Sequence, residues 1–439
     1  MAKGKNDLAW ERIFEKYNII ETIQKHGCFI ITADQIKEFR EPRLMTKFDS
    51  KIDLPSVFNE NNLAILPTKR GEYIIGKFCN YQELKIDNSI DVETMYLPEY
   101  ITTIDSKNIT SEAISLSSAF ISGMIEDLVG ETVVPTIQGR MGTGKFNYSI
   151  KTDSNDEFLI DVENSQMEID GSYEGFTKFV IVEAKNHYMS DFIVRQLFYP
   201  YRVWKSITNK EIIPVMLIKH DNIFNFYVYT FDDDKKYNSI RLHKIKRYIL
   251  GEVYQQIELD DIYDVMNSVK RITESADVPF PQADSFYRVL DFINTLNDSE
   301  MKINEIAELY EFDDRQGSYY SAAGKYLGFV ESNHGGYKLT DYGKSIMKMD
   351  HKSKNLEIVK SILSHEPFYQ ALEQYLSDGE INNKVIAETI LKVSPNVNSP
   401  ETAKRRAQSV ASWVRWIINL TTTYDQNPFD SIDISGDVE

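Results

Sequence analysis

Two charged residues end an apolar stretch near the middle of the chain. In FVIVEAKN, Phe179 to Asn186, four apolar strand-forming residues precede Glu183 and Lys185. Because side chains alternate along a strand, Glu183 and Lys185 share one face. Asp170 ends the segment QMEID, and a hairpin-like turn at SYEGFTK would bring it beside them. The spacing therefore predicts two carboxylates and an ammonium at one sheet edge.

Such a group suits phosphodiester hydrolysis assisted by a metal ion. Two carboxylates alone repel each other, and one then tends to keep a proton, so the arrangement needs a cation. Mg²⁺ prefers oxygen ligands and is commonly held by one or two carboxylates, waters and substrate phosphate. A lysine beside it can position a water molecule and stabilise charge developing on a phosphoryl group. Without Asp170, the Glu183–Lys185 pair is an ordinary surface ion pair that contributes under about 1 kcal/mol.

The surrounding periodicity predicts an α/β core with a mixed central sheet over residues 106–273. A stretch with helical spacing runs from Ala113 to Leu128, and the strand-like segments FNYSI, QMEID and FVIVEA follow it. Residues Phe192 to Trp204 have the spacing of a helix with an aromatic face. The apolar runs EIIPVMLI and IFNFYVYTF are typical of buried strands. The expected order is helix, three strands, helix and further strands.

These residues, in this order, resemble the PD-(D/E)XK nuclease superfamily. Its signature is an aspartate at one strand end and (D/E)-x-K on the next strand. The matching residues are Asp170, Glu183 and Lys185, and Ile169 stands where the signature has proline. The resemblance covers residues 110 to 220 approximately and implies a nuclease core that uses Mg²⁺, with Mn²⁺ as a substitute.

The same resemblance implies two further site residues. The superfamily carries an acid in the helix before the sheet and a polar residue in the helix after it. Here these are Glu126, a candidate metal ligand, and Gln196 in FIVRQLFYPYRVW, a supporting residue. An exposed helix acid without a catalytic role is an equal alternative for Glu126.

Residues 1–105 have the pattern of a small mixed module that could recognise DNA. A helical period runs from Asp7 to Lys25, CFIIT is strand-like, and Thr32 can cap a further helix. The strand-like pieces LAILP and EYIIGKF flank the turn TKRG. The basic residues on the loop between these parts are candidates for DNA contact: Arg40, Arg43 and Lys47.

Beyond a proline-containing linker, residues 274–284, the chain becomes helical. The segments SFYRVLDFINTL, INEIAELY and DRQGSYYSAAGKYLGF, followed by the hairpin FVESNHGGYKL, have the order of a winged helix over residues 285–350. A second helical domain resembling a helix-turn-helix is expected over 351–422, where Ser399 can cap the last helix. An acidic, disordered tail is expected over 423–439.

Polar residues on two of these helices are candidates for reaching bases and phosphates. They are Arg315, Gln316, Ser318, Tyr319 and Lys325 in the third helix, and Thr402, Arg405, Arg406 and Gln408 in the last. Core packing is an equal alternative for Tyr319 and for its neighbour Tyr320. Trp413, Trp416 and Ile417 have core spacing.

Segments across nearly the whole chain resemble bacterial type II restriction endonucleases. They include AWERIFEKYNII, ITADQIKEFREPRLMTKFD, RQLFYPYRVW, VPFPQAD and TAKRRAQSVASWVRWI. This resemblance implies sequence-specific cleavage of double-stranded DNA to 5′-phosphate and 3′-hydroxyl ends, a homodimer, and a cognate DNA methyltransferase as genetic partner. A methylation-dependent or repair nuclease and a non-catalytic DNA-binding regulator are the alternatives.

Composition constrains these expectations only in part. The net charge of −18 opposes a polyanionic partner at long range, but charges farther apart than about 8 Å are largely screened in physiological salt. Cys28 and Cys79 fit no zinc motif, and no apolar run reaches a membrane span, which favours a cytoplasmic protein without membrane contact. The resemblance to restriction enzymes implies that this cytoplasm is bacterial. GRMGTGKF nearly fits a phosphate-binding loop, but Phe146 replaces its hydroxyl residue.

Overall fold

The structure, a computed structural model, describes residues 4–296, 300–302, 305–306, 314–333 and 336–421. Helices and strands mix in the N-terminal half, and helices dominate the C-terminal region. The predicted mixed α/β class with helices at the C-terminus is therefore confirmed. None of the helices in the described ranges is long and apolar enough to cross a membrane.

In the N-terminal part, short helices cover three strands of a five-stranded sheet, whose other two strands come from residues 145–151 and 157–163. Its core contains Trp10, Phe14 and Phe58, whose rings meet edge to face. The helix expected from Asp7 to Lys25 is interrupted because Asn18 has a left-handed φ of 49°. The elements are α1 Lys5–Lys16, α2 Ile19–His26, β1 Cys28–Thr32, α3 Ala33–Lys37, α4 Pro42–Met45, α5 Ser56–Glu60, β2 Ala64–Lys69, β3 Glu72–Gly76, β4 Tyr81–Glu83 and β5 Val92–Met95.

The central part contains a mixed sheet, as the sequence predicts. Its strand order is β5-β16-β15-β14-β12-β11-β6, with β12/β14 and β5/β16 parallel. The elements are α6 Glu112–Ile121, α7 Met124–Val129, β6 Val134–Pro135, β7 Gly139–Gly142, β8 Lys145–Lys151, β9 Glu157–Glu163, β10 Gln166–Ile169, β11 Gly171–Glu174, β12 Lys178–Lys185, β13 Asp191–Ile193, α8 Arg195–Lys205, β14 Glu211–His220, β15 Ile223–Phe231 and β16 Ile240–Leu250.

Two predicted helices of this part differ in extent. The helix expected from Ala113 to Leu128 is two helices, because Gly123 has a φ of 86° and ends the first. The helix expected from Phe192 starts at Arg195, because the preceding residues form β13 and pair with β4. Since β5 also pairs with β16, residues 76–105 add strands to the sheets of the central part.

Strand β12 lies between two apolar layers. Phe179 and Ile181 belong to the layer that contains α8, whereas Val180 and Val182 belong to the layer of α6 and α7. Every residue of the strand after Lys178 is buried. The apolar residues therefore fix the strand, and alternation carries its last charges onto the α8 side.

The C-terminal region consists of helices around one apolar core and a small sheet of order β17-β19-β18. Of INEIAELY only residues 305 and 306 are described, and the acidic tail lies outside the described residues. The elements are α9 Leu259–Ser268, α10 Phe286–Thr295, β17 Met301–Lys302, α11 Asp314–Tyr326, β18 Val330–Asn333, β19 Gly336–Leu339, α12 Asp341–Met347, α13 His351–Leu363, α14 Glu366–Asp378, α15 Asn383–Val393 and α16 Pro400–Asn419.

The predicted linker 274–284 has no helix or strand, but it is packed against the helices. Glu274 is buried and accepts a hydrogen bond from the Tyr326 hydroxyl at 2.9 Å. Phe280 is buried in the C-terminal core. The segment is therefore fixed in place.

Buried charges hold the C-terminal helices against the central sheet. Asp221, in the turn between β14 and β15, pairs with Lys354 at 2.5 Å and with His351 at 2.9 Å. Tyr188 lies three residues after the end of β12, and its backbone N–H donates a hydrogen bond to Asp291 of α10 at 2.7 Å. The helical region is thereby anchored beside the strand end that carries Lys185.

Loss of one partner of this buried group should destabilise the protein. Lys354→Met leaves Asp221 without its ammonium, and we expect the free energy of unfolding to fall by about 3–5 kcal/mol. Lys360→Met on the same helix removes a half-exposed pair with Glu357 and should cost less than about 1 kcal/mol. Denaturant unfolding measures both values, and equal losses would contradict the anchoring role of Asp221.

Candidate active site

Asp170, Glu183 and Lys185 meet at the end of β12. The Lys185 Nζ atom donates to Glu183 Oε1 at 2.9 Å. Asp170 Oδ2 accepts a hydrogen bond from the backbone N–H of Ala184, also at 2.9 Å. The predicted proximity of the three side chains is therefore present.

The path that brings Asp170 there differs from the predicted turn. Strand β10 pairs with β7, and Gly171–Glu174 form β11, which pairs with β12. Only residues 175–177 of SYEGFTK connect β11 to β12. The predicted extent of the turn is wrong, because alternating Ser172 and Tyr173 continue the sheet. Asp170 reaches the site because it precedes Gly171, the partner of Val182.

Gln196 also lies in this cluster. It follows Arg195 at the start of α8, and its Nε2 donates to Glu183 Oε1 at 2.5 Å. Glu183, Lys185 and Gln196 are 6%, 7% and 9% exposed, so these polar groups are desolvated. A buried hydrogen bond of this kind fixes the orientation of the carboxylate.

Two further carboxylates in the cluster were not among the sequence candidates. Asp49 Oδ2 lies 3.5 Å from Lys185 Nζ, and Glu112 Oε1 lies 3.7 Å from it. Glu112 stands in the first turn of α6, directly after the capping residue Ser111. The sequence contains a signal for Glu112, because this acid directly follows a capping serine at the start of the helix before the sheet. No sequence pattern indicates Asp49.

Asp49 comes from the N-terminal part and is fixed there by the central part. The Ile193 backbone N–H donates to the Asp49 carbonyl at 2.9 Å. The Ser50 hydroxyl and the Lys51 N–H donate to Asp191 Oδ1, each at 2.8 Å. Strand β13 therefore holds the backbone that presents Asp49 to Lys185.

Glu126 lies at the other end of the sheet. Its carboxylate accepts from the Val133 N–H at 3.4 Å. Val134 pairs with Glu174, which in turn pairs with Phe179, at the opposite end of β12 from Glu183. Four strand residues span about 13 Å, so the structure does not bring Glu126 to the cluster.

The surplus of carboxylates controls the charge of the cluster. Burial lowers the pKa of Lys185, but the surrounding carboxylates, led by Glu183, outweigh it and hold that pKa well above its ordinary value. Burial raises the pKa of Glu183 well above its ordinary value, and Asp170 adds to the shift. Burial likewise opposes ionisation of Asp49, but Lys185, Lys47 and Arg195 together outweigh it and lower the pKa. The carboxylates therefore favour the charged form of Lys185, whereas burial and Asp170 oppose ionisation of Glu183.

This site opens into a cleft of about 470 Å³ whose wall carries six cations, three of which pair with a carboxylate: Lys47 with Asp49, Lys69 with Glu72 and Arg140 with Glu168. The cations on that wall are Arg43, Lys47, Lys69, Arg70, Arg140 and Arg195. Two of the predicted DNA-binding residues, Arg43 and Lys47, thus border the cluster, while Arg40 donates to Asn6 at 2.6 Å. A cleft with acids at its base and cations on its wall suits an anionic substrate and a bound cation.

The carboxylates surround the Lys185 ammonium more than they surround a common point. Within the described residues, no group of three or more His, Cys, Asp or Glu side chains has the geometry of a preformed metal site. However, Asp49 Oδ2 is buried and makes no hydrogen bond with described residues. An excess of desolvated oxygen ligands is the donor set that Mg²⁺ prefers, with waters completing its octahedron.

The candidate contacts on the C-terminal helices have mixed placements. Ser318, Arg405 and Gln408 are exposed. Tyr319 is half-buried, and Lys325 stands over the Tyr337 ring at 5.1 Å. The side chains of Arg315 and Gln316 lie outside the described residues.

Others of these candidates have structural partners. The Thr402 hydroxyl interacts with Ser399, the predicted cap, and Arg406 donates to Gln282 at 2.5 Å. Tyr320 is buried, and so are the residues with predicted core spacing, Trp413, Trp416 and Ile417.

The glycine-rich segment Gly139 to Phe146 enters a strand. Its residues form β7 and the start of β8, and Gly144 turns between them with a φ of 67°. A phosphate-binding loop would lead into a helix. The strand after this segment therefore agrees with the substitution by Phe146 in arguing against the phosphate-binding loop of a nucleoside triphosphatase.

Binding of Mg²⁺ to the cluster should raise thermal stability. At ten times its Kd the ion adds about 1.4 kcal/mol to the free energy of unfolding. We expect Mg²⁺ to raise the Tm of wild type and of Glu126→Gln, and to leave the Tm of Glu183→Gln unchanged. Thermal unfolding with and without Mg²⁺ measures this, and the same rise in Glu183→Gln would contradict metal binding at Glu183.

Comparison with known families matches three successive segments of the chain. Residues 7–75 match domain of unknown function DUF6996, residues 76–249 match domain of unknown function DUF6997, and residues 288–422 match domain of unknown function DUF7226. No curated protein and no solved structure matches the chain. The cluster around Lys185 thus combines residues of the 76–249 segment with Asp49 of the 7–75 segment.

Proposed function

We propose that this protein is a Mg²⁺-dependent DNA endonuclease with a core of the PD-(D/E)XK type. The observation that carries the proposal is the meeting of Asp170, Glu183 and Lys185 at one end of a mixed sheet, where Glu183 and Lys185 are buried at the base of a cleft lined by cations. A surface ion pair would be exposed and would lack the additional carboxylates. A non-catalytic DNA-binding regulator would have no use for such a buried group.

The residues of the cluster have separate tasks in this proposal. Asp170 and Glu183 are the oxygen ligands that would hold Mg²⁺ together with waters, and Asp49, which pairs with Lys185, would add negative charge beside them. Mg²⁺, when bound, would polarise the scissile phosphate and lower the pKa of a water ligand. Lys185 stabilises negative charge on the phosphoryl oxygens from within the dry site. Gln196 keeps Glu183 oriented through its hydrogen bond.

The substrate in this proposal is double-stranded DNA, cut to 5′-phosphate and 3′-hydroxyl ends as in type II restriction enzymes. The cleft wall offers cations to the backbone, and phosphate contacts of this kind fix the register of a duplex. Exposed Arg405 and Gln408 on α16 and Ser318 on α11 extend the surface available to a winged-helix-like region. Two cuts on a symmetric site call for two copies of the chain.

Lys185 gives the most direct test of catalysis. We expect Lys185→Ala to lower plasmid cleavage in Mg²⁺ by about 10²–10³-fold or more, because the buried charge that faces the phosphate is lost. The matched control is Lys236→Ala, which removes an exposed lysine paired with Glu157 at the surface. Undiminished cleavage by Lys185→Ala would remove the basis of the site.

Asp49 tests whether the N-terminal part contributes to the same centre. We expect Asp49→Asn to lower cleavage by about 10–100-fold and to raise the Mg²⁺ concentration that gives half-maximal activity. Glu41→Gln, an exposed acid at the start of α4, should change neither quantity. A lower Tm with an unchanged Mg²⁺ requirement would instead make Asp49 a purely structural residue.

A further inference from the structure

A second cavity of about 590 Å³ adjoins the catalytic cleft. Its walls come from the segment before α6, the ends of β12 and β14, and helix α10 of the C-terminal region. Lys47, Asp49, Glu112 and Lys185 border both cavities. A ligand in the second cavity would therefore lie beside the catalytic lysine. The volume of this cavity is within the range of small-molecule sites.

Three cations on this wall have only neutral partners. Lys219 Nζ donates to the Ile109 carbonyl at 3.2 Å, and Lys107 Nζ donates to the Lys348 carbonyl at 3.4 Å. Arg288 hydrogen-bonds the Tyr320 side chain. Among the described residues, none of the three cations forms an ion pair with a carboxylate.

Most carboxylates on the same wall are already engaged. Asp291 accepts from the Tyr188 N–H and contacts His220 at 2.7 Å. Asp221 is paired with Lys354, and Asp53 accepts from the Ser50 N–H at 3.3 Å. Asp49 and Glu112 face Lys185. Six basic and five acidic side chains line the cavity, so its lining carries one net positive charge, and the three cations are those without a carboxylate in ion-pair contact.

The Lys219 ammonium lies in a desolvated environment. Burial lowers the pKa of Lys219 to about 8 and the like charge of Lys354 adds to the shift, whereas Asp291 and Asp221 partly oppose it. An anion beside the ammonium would oppose both effects. The amide side chain of Asn294 on the same wall offers hydrogen bonds to the rest of a ligand.

We propose that this cavity binds the phosphate group of a nucleotide through Lys107, Lys219 and Arg288. The inference deepens the proposed function and rests on it where the phosphate belongs to the DNA strand that enters from the catalytic cleft. The same chemistry would hold a free nucleotide. Because the three cations belong to the central part and to α10, an occupied cavity links the C-terminal helices to the catalytic end of the sheet.

Binding without cleavage tests the inference. Duplex DNA binding is measured by fluorescence anisotropy over a salt series without Mg²⁺, and dAMP binding by calorimetry. The variants are Lys107→Gln, Lys219→Gln and Arg288→Gln, and Lys236→Gln is the control. Lys107 is exposed, so its variant remains informative if a more buried substitution impairs folding.

Two results support the cavity and identify the source of the phosphate. If the phosphate belongs to the strand, each variant lowers duplex affinity and reduces the slope of log K against log salt by about 0.9, with the control unchanged. If it belongs to a free nucleotide, wild type binds dAMP, the variants bind it at least 5-fold more weakly as a rough expectation, and duplex affinity stays constant.

The inference is overturned if the folded variants bind both duplex and dAMP as wild type does. That failure is separate from failure of the nuclease proposal. Cleavage that depends on Lys185 together with unchanged binding in the variants would refute the cavity alone. Binding of dAMP that requires these cations in a protein that never cuts DNA would refute the nuclease and keep the cavity.

Discussion

The buried ammonium of Lys185 is the interaction on which the arrangement of the chain depends. A desolvated charge is tolerated only where opposite charges approach it, and here the carboxylates of Glu183, Asp49 and Glu112 do so. They come from β12, from the N-terminal part and from the first turn of α6. One charge at the end of β12 is therefore balanced from its own strand and by two segments that are distant in sequence.

The residues that the sequence predicts well are those governed by local rules. Alternation along FVIVEAK places Glu183 and Lys185 on one face, and the apolar residues before them require a buried strand. The position of Asp170 is predictable because it precedes the strand neighbouring β12, even though the expected turn is too long. Gln196, in contrast, is expected only from the family resemblance, and the structure places its amide on Glu183.

The missed residues depend on contacts that local patterns do not encode. Asp49 reaches Lys185 only because Asp191 and Ile193 bind the backbone next to it. Glu112 and Glu126 could each be the acid of the helix before the sheet. The break at Gly123 places them in two different helices, and only α6, which carries Glu112, reaches the site. The net charge of −18 also gave no warning of a basic cleft, since a sum over the chain contains no positions.

The contact between Ser50 and Asp191 also has a consequence for biosynthesis. The two residues are 141 positions apart, so a ribosome adding about 5–20 residues per second needs roughly 7–28 seconds between them. During that interval the N-terminal part can fold around its aromatic core, but Asp49 has no Lys185 to face. The carboxylate cluster can form only after β12 and β13 have left the exit tunnel. During synthesis, the first segments can therefore be folded before the charged centre is complete.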